Sequence, residues 1–241
     1  MTGDGAAAVK QAPGRPVRSF VLRAGRVTAA QERALETLWP RWGIELPEAP
    51  VDEHFWSGVF GGGGPLTLEI GFGMGASLLE MAEREPERRF VGVEVHPPGV
   101  GALLAGIEAR GLGNLRVVRE DVVLALPRLF PPGSLDRVQL FFPDPWPKKR
   151  HHKRRLVQRA FVDALAERVR IGGRLLLATD WEPYAAWMLE VLEAAPAWRN
   201  AAGPGAFAPR PAERPQTRFE RRGLARGHAV RDLVFERVAA D

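Results

Sequence analysis

Four acids recur through the middle of the chain: Glu69, Glu94, Asp121 and Asp144, separated by 25, 27 and 23 positions. Each interval is the length of one strand-helix unit. In an open parallel sheet all four then stand at the carboxyl ends of successive strands, the edge where ligands bind. Helix N-termini and strand ends attract Asp and Glu for dipole reasons alone, which accounts for one or two of them but not for four on one edge. A glycine turn, Gly71, Gly73 and Gly75, follows the first acid. Gly71-x-Gly73-x-x-Ala76 satisfies the dinucleotide fingerprint, with Glu94 placed for a ribose. A pyrophosphate, however, needs an electropositive cradle, and this turn is surrounded by carboxylates. A ligand with an ammonium and a sulfonium suits it better. S-adenosylmethionine has both, with a ribose diol and an adenine besides.

The fourth acid opens a second constellation, Phe141-Phe-Pro-Asp-Pro-Trp-Pro-Lys-Lys-Arg-His-His-Lys-Arg-Arg155. A buried strand over Leu135 to Phe142 ends in prolines at 143, 145 and 147, which forbid helix and stiffen the turn that presents Asp144 and Trp146. Behind it, Lys148, Lys149, Arg150, Lys153, Arg154 and Arg155 place six charges in eight residues, with His151 and His152 between them. That density suits a phosphate backbone. Such runs are often only solvated faces, but the chain has just four lysines and three of them fall here. An ammonium is not equivalent to a guanidinium, so the choice points to a need for compact charges. Trp146 and Phe142 could stack on a splayed base, and Trp146 could equally be a loop anchor packed on the core.

The elements that must position these residues follow from periodicity. Leu66 to Ile70 reads as a strand, Gly71 to Gly75 as the turn, Ala76 to Glu85 as a helix, Phe90 to Val95 as a strand and Pro98 to Ala109 as a helix. This is βαβ and implies a parallel sheet. A strand at Leu115 to Arg119, a helix at Val122 to Leu129 and the strand ending at Phe142 continue it. An apolar stripe from Leu156 to Val169 predicts a long helix, Arg174 to Thr179 a strand, and the stretch from Asp180 a helix with Tyr184, Trp187 and Met188 on its core face. Ala194 to Pro215 reads as a surface loop, and Gln216 to Arg221 with Val230 to Val238 as an antiparallel pair. Residues 1–16 read as a flexible tail, 17–60 as an N-terminal arm with Thr28 capping its helix, packing late or on ligand binding, and 61–241 as the main domain.

With 241 residues the chain can bury one substantial core. It has no Cys, which removes disulfides, thiolate zinc sites, iron–sulfur clusters and a cysteine nucleophile, and fits a reducing, cytoplasmic setting. No run reaches the length of a transmembrane helix, and no metal site is expected. The net charge of +5 hides a division: residues 27–147 carry a net −7 and residues 148–241 a net +8. An acidic body with basic extensions fits one face for something cationic or hydroxyl-rich and another for a polyanion.

The chain resembles the bacterial tRNA (guanine-N7)-methyltransferases from about Val17 to Val238. The most specific stretches are Leu68-Glu-Ile-Gly-Phe-Gly-Met-Gly75, Phe142 to Arg155, Thr179-Asp-Trp181, Thr217-Arg-Phe-Glu-Arg-Arg-Gly223 and Gly227-His228. The resemblance implies a Rossmann-like S-adenosylmethionine-dependent methyltransferase fold, α/β, mostly parallel, with helices on both faces and a C-terminal antiparallel strand pair. It implies methyl transfer to N7 of a guanine in tRNA, that at position 46 in the variable loop. Glu69, Gly71, Gly73, Glu94, Asp121 and Asp144 would bind the cofactor, Asp144 also being catalytic. Lys148, Asp180, Thr217, Arg218, Phe219 and Glu220 would contact the substrate, with Arg218 where the family more often has Lys. Arg150, His151, His152, Lys153, Arg154 and Arg155 would contact RNA. The partner implied is tRNA, without membrane or obligate protein partner, for a monomer or homodimer. Three rivals stand beside it: exocyclic-amine methylation, from a partial likeness at Asp144-Pro145-Trp146; a nicotinamide oxidoreductase; and an idle RNA-binding module. The last two leave the four acids unexplained.

Overall fold

The computed structural model describes residues 18–21, 27–216, 220 and 229–239. Strand β2 (Leu66–Ile70) is buried at every position, as a strand covered by helices on both faces must be. Around it the chain forms β1 (Gly43–Ile44), β3 (Arg89–Val93), β4 (Leu115–Val118), β5 (Leu135–Phe141), β6 (Val169–Thr179), β7 (Trp198–Asn200) and β8 (Arg231–Arg237). These make one eight-stranded sheet in the order β1-β4-β3-β2-β5-β6-β8-β7. Pairing is parallel from β1 through β6 and antiparallel at β6·β8 and β7·β8. From β2 the chain winds outward through β3 and β4, then returns to place β5 and β6 on the other side. The order therefore reverses between β2 and β5, the switch point at which an open α/β sheet leaves a crevice beyond its carboxyl edge.

Two apolar layers cover the sheet. One contains α1 (Ala29–Thr37), α2 (Trp39–Trp42), α4 (Ala76–Arg84) and α5 (Pro97–Arg110), with Leu78, Phe90 and Leu103 at its centre. The other contains α3 (Phe55–Phe60), α6 (Val122–Leu129), α7 (Arg159–Arg168) and α8 (Glu182–Glu193), with Trp56, Phe130 and Tyr184 wholly or almost wholly buried. The described part of the 17–60 segment packs against both layers. Thr28 and Gln31 close a reciprocal capping box on α1, β1 extends the sheet edge beside β4, and the Trp56 indole donates to Leu129 O at 2.7 Å. Among the described residues no helix is long and apolar enough to cross a membrane.

Strand and helix positions agree closely with the sequence from β2 to β5, and diverge after it. The stripe from Leu156 to Val169 is not one helix. Lys149–Arg154 form a 3-10 turn, Leu156 and Val157 pack outside any helix, and α7 starts only at Arg159. Strand β6 starts at Val169 and carries Gly172-Gly173 within it, through an irregular register against β5. A three-residue strand, β7, lies in the stretch read as a loop and is the edge partner of β8; three residues are too few to show alternation. The C-terminal antiparallel pairing is present, but its described partners are β6 and β7. Gln216 is not in a strand, and of Gln216 to Arg221 only Gln216 and Glu220 are described.

Candidate active site

The turn after β2 is fixed by its own backbone. Gly71 N–H donates to Val93 O at 2.8 Å and Gly75 N–H to Phe72 O at 2.9 Å. Glu94, just past β3 and 6% exposed, accepts from three backbone amides: Gly73 at 3.0 Å, Val95 at 2.7 Å and His96 at 3.0 Å. Its carboxylate thus ties the glycine turn to the β3 end and is held in one orientation. Asp121 caps α6, accepting from Val123 N–H at 3.0 Å. Burial pushes its carboxyl upward, against that hydrogen bond, which acts in the opposite sense.

Asp144 is exposed on a turn whose flanks are strained. Phe142 and Trp146 adopt φ of +53° and +45°, a region costly for residues with a Cβ. Phe142 N–H donates to Ala178 O at 2.7 Å. Trp146 Nε1–H donates to Ser19 O at 2.9 Å, the bond expected of a loop anchor. The Arg154 guanidinium lies 4.3 Å from the Trp146 ring centroid and its Nε–H donates to Arg18 O at 3.2 Å.

Gly71, Glu94, Asp121 and Asp144 line one cleft of about 200 Å³ at the carboxyl edge of the sheet, together with Phe142. Glu69 is brought to the same edge, near the end of β2, but does not line the cleft: it is 3% exposed, with Oε2 lacking a hydrogen-bond partner among the described residues. Burial pushes its carboxyl up to about 8, although Arg137 draws it the other way. Sequence reasoning missed Ser19, Phe20, His96 and Glu120, which also line the cleft. His96 and Glu120 adjoin acids already singled out. Ser19 and Phe20 arrive by packing across more than a hundred residues, for which no local pattern exists.

The remaining predicted residues separate into groups. Lys148 is exposed at the start of the 3-10 turn, and Asp180 follows the last residue of β6. Thr217, Arg218 and Phe219 lie outside the described residues. Glu220 is 4% exposed and engaged by Arg214, whose Nη1 and Nη2 donate to it at 2.6 and 2.9 Å while Nε and Nη2 hold Asp232 of β8 at 2.6 and 2.9 Å. Its carboxylate is an anchor to the sheet in this arrangement. In the basic run Arg150 and Lys153 are exposed, and His151, His152 and Arg154 half-buried. Loss of solvent, then Arg150, Arg154, Lys148 and Lys153, hold the His151 imidazole below its usual range. Arg155 does not belong with the exposed cations: it is 3% exposed, and its Nε–H donates to Pro145 O at 3.0 Å. The sequence places this charge with the solvent-facing cations; the structure encloses it.

The residues fit a cationic nucleoside ligand on three counts. Among the described residues a Cβ at Gly71 or Gly73 would meet no protein atom within 4 Å, so the turn leaves open space for close approach. Glu69, near the end of the strand that leads into the turn, has a buried carboxylate oxygen without a hydrogen-bond partner among the described residues. The clamped Glu94 retains acceptor capacity for hydroxyls. Among the described residues no group of three or more side chains could hold a metal.

A doubly wound sheet with a glycine turn and carboxylates at its switch point defines a Rossmann-like fold with a nucleotide-type cleft. A family model described as "Putative methyltransferase" matches residues 63–233. The chain is 55% identical over 226 residues to the tRNA (guanine-N(7)-)-methyltransferase of Pseudomonas paraeruginosa, covering 94% of this chain and 91% of that one. It is 55% identical over 221 residues to that of Halorhodospira halophila, covering 92% and 95%. Among solved structures it is similar to the antibiotic-resistance methyltransferase Kmr, with a TM-score of 0.56 at 19% identity over 82% of this chain and 99% of that one; at that identity the likeness is one of fold. The chain belongs to the tRNA (guanine-N(7)-)-methyltransferase family.

Proposed function

We propose that the cleft binds S-adenosylmethionine and that the protein transfers a methyl group to N7 of a guanine in tRNA, with Asp144 at the reacting centre. One observation carries the assignment of roles: Asp144 shares the cleft with Glu94 and Asp121, and the chain runs from it directly into exposed cations. Glu94 would accept from the ribose hydroxyls, Asp121 from the adenine side, and Glu69 would meet the ammonium, with the Gly71–Gly73 turn giving close approach. The bound cofactor supplies an electrophilic methyl group on a sulfonium.

Guanine N7 has an in-plane lone pair and needs no deprotonation, so alignment does most of the work. Holding nucleophile and methyl in line replaces a bimolecular encounter by an effectively unimolecular one. The Asp144 carboxylate accepts from guanine N–H groups and offsets the positive charge that spreads into the purine as N7 is alkylated. Lys148, Asp180 and the Thr217–Glu220 segment are read as substrate contacts, Glu220 acting through its anchorage. Arg150, His151, His152, Lys153 and Arg154 face the tRNA backbone. The protein is read as cytoplasmic, a setting that the cysteine-free composition fits, and as a monomer or homodimer without an obligate protein partner.

The test is incubation with labelled S-adenosylmethionine and bulk tRNA, followed by digestion to nucleosides. Label in 7-methylguanosine is expected. Label in an N6- or N2-methylated nucleoside would move the protein to the exocyclic-amine class, and no label would remove the activity.

A further inference from the structure

The basic run contains one cation that does not face solvent. The Arg155 guanidinium is enclosed by α8, 4.9 Å from the Tyr184 ring centroid and 5.3 Å from that of Trp187, with its Nε–H on Pro145 O at 3.0 Å. Burying a charge is unfavourable unless its donors and its field are met. Here a carbonyl meets the Nε–H and two aromatic rings meet the field. Burial holds the Tyr184 phenol up at about 12, so it remains neutral beneath the cation, and its hydroxyl accepts from Val157 N–H at 3.3 Å. Trp187 Nε1–H donates to Val157 O at 2.7 Å. The two rings are therefore fixed to the chain just beyond Arg155, and the guanidinium between them has a defined position.

The carbonyl that Arg155 holds belongs to the residue after Asp144. Positive φ at Phe142 and Trp146 gives this turn a conformation that persists only where its surroundings over-determine it. The ties at Phe142 and Trp146 fix its two ends, to β6 and to Ser19. Arg155 fixes its middle, from the rigid layer of α8. We propose that Arg155 is a positioning residue for the turn that carries Asp144, and not a phosphate contact of the cationic run. This rests on the assignment of Asp144 to the reaction.

Arg155→Met keeps the length of the side chain and removes its donors and charge. Single-turnover methyl transfer at saturating tRNA should fall between about 10- and 100-fold, the cost of an ångström-scale misplacement. S-adenosylhomocysteine affinity should stay within about twofold, and the slope of log tRNA affinity against log salt should match the parent. Lys153→Gln, in the exposed run, should instead flatten that slope by about 0.7–0.9. Arg155→Lys, which can still donate to Pro145 O, should recover part of the rate at the parental slope, and serves alone if the methionine variant does not fold. An Arg155→Met protein with a flattened slope and parental rate would make Arg155 a phosphate contact and overturn the proposal. Loss of S-adenosylhomocysteine binding in both variants would overturn it too, since Arg155 would then support the fold at large. The parental protein run alongside separates the two readings: if it transfers no methyl group, the proposed function fails, and this inference with it.

Discussion

Glu94 holds three backbone amides with two oxygens, so its side chain serves structure and ligand at once. Glu94→Ala would release the glycine turn as well as remove the ribose acceptor. S-adenosylhomocysteine affinity should fall by on the order of 1–3 kcal/mol in calorimetry, and an unchanged affinity would remove Glu94 from the site. Glu69 gives a pH dependence instead. Burial raises its folded pKa to about 8, above the ordinary carboxyl value of 4.5. The folded state therefore binds the proton more tightly, and the stability this contributes is full below about 4.5 and lost as pH rises through about 8. Denaturation midpoints of Glu69→Gln relative to the parent should accordingly rise between pH 5 and pH 9. An ammonium facing the carboxylate favours its ionised form, so the parent's affinity for S-adenosylhomocysteine, which keeps that ammonium, should increase towards pH 8, by at most about tenfold per pH unit, and the Gln variant should lack that slope. A flat parental profile would mean that Glu69 does not face the ammonium.

At the scale of elements the site depends on how closely α5 meets the glycine turn. A Cβ at Gly99 would lie 2.1 Å from Gly73 O, and one at Gly75, where φ is +76°, would lie 2.7 Å from Leu103 Cδ1. Gly99→Ala, which by helix propensity alone should stabilise α5 by about 1 kcal/mol, should instead push the turn out of place. We expect S-adenosylhomocysteine binding to weaken at least about tenfold, a loss of roughly 1.4 kcal/mol, with tRNA binding retained; parental cofactor affinity would show that turn and helix separate freely. The acids and the glycine turn were legible in the sequence because each βα unit repeats one local pattern at one spacing. The end of the chain was less so. Strand β7 has three residues and owes its pairing to β8. The Leu156 to Val169 stripe satisfied helical spacing although Tyr184 and Trp187 capture Val157 before α7 begins. Arg155 carried the same charge signature as Lys153, and only the rings of α8, some thirty residues on, distinguish them. Periodicity reports which faces are apolar and says nothing about such distant partners.

In the whole molecule the acidic middle and the basic ends meet at one turn. Glu94, Glu120, Asp121 and Asp144, all from the acidic middle, line a cleft suited to a cation, and the cations after Pro147 present the opposite field to a polyanion arriving at its mouth. Steering of that kind raises encounter rates and is salt-dependent, whereas the reaction in the cleft depends on geometry. The two functions should therefore be separable by a change at their junction. Asp144→Asn is nearly isosteric and leaves every cation in place, so single-turnover methyl transfer at saturating tRNA, measured with tRNA affinity across salt concentrations, tests the account most directly. The account predicts a rate reduced roughly 100-fold or more, with tRNA affinity and its salt slope those of the parent. A rate within a few-fold of the parental value would contradict it and place the reacting centre elsewhere on the cleft.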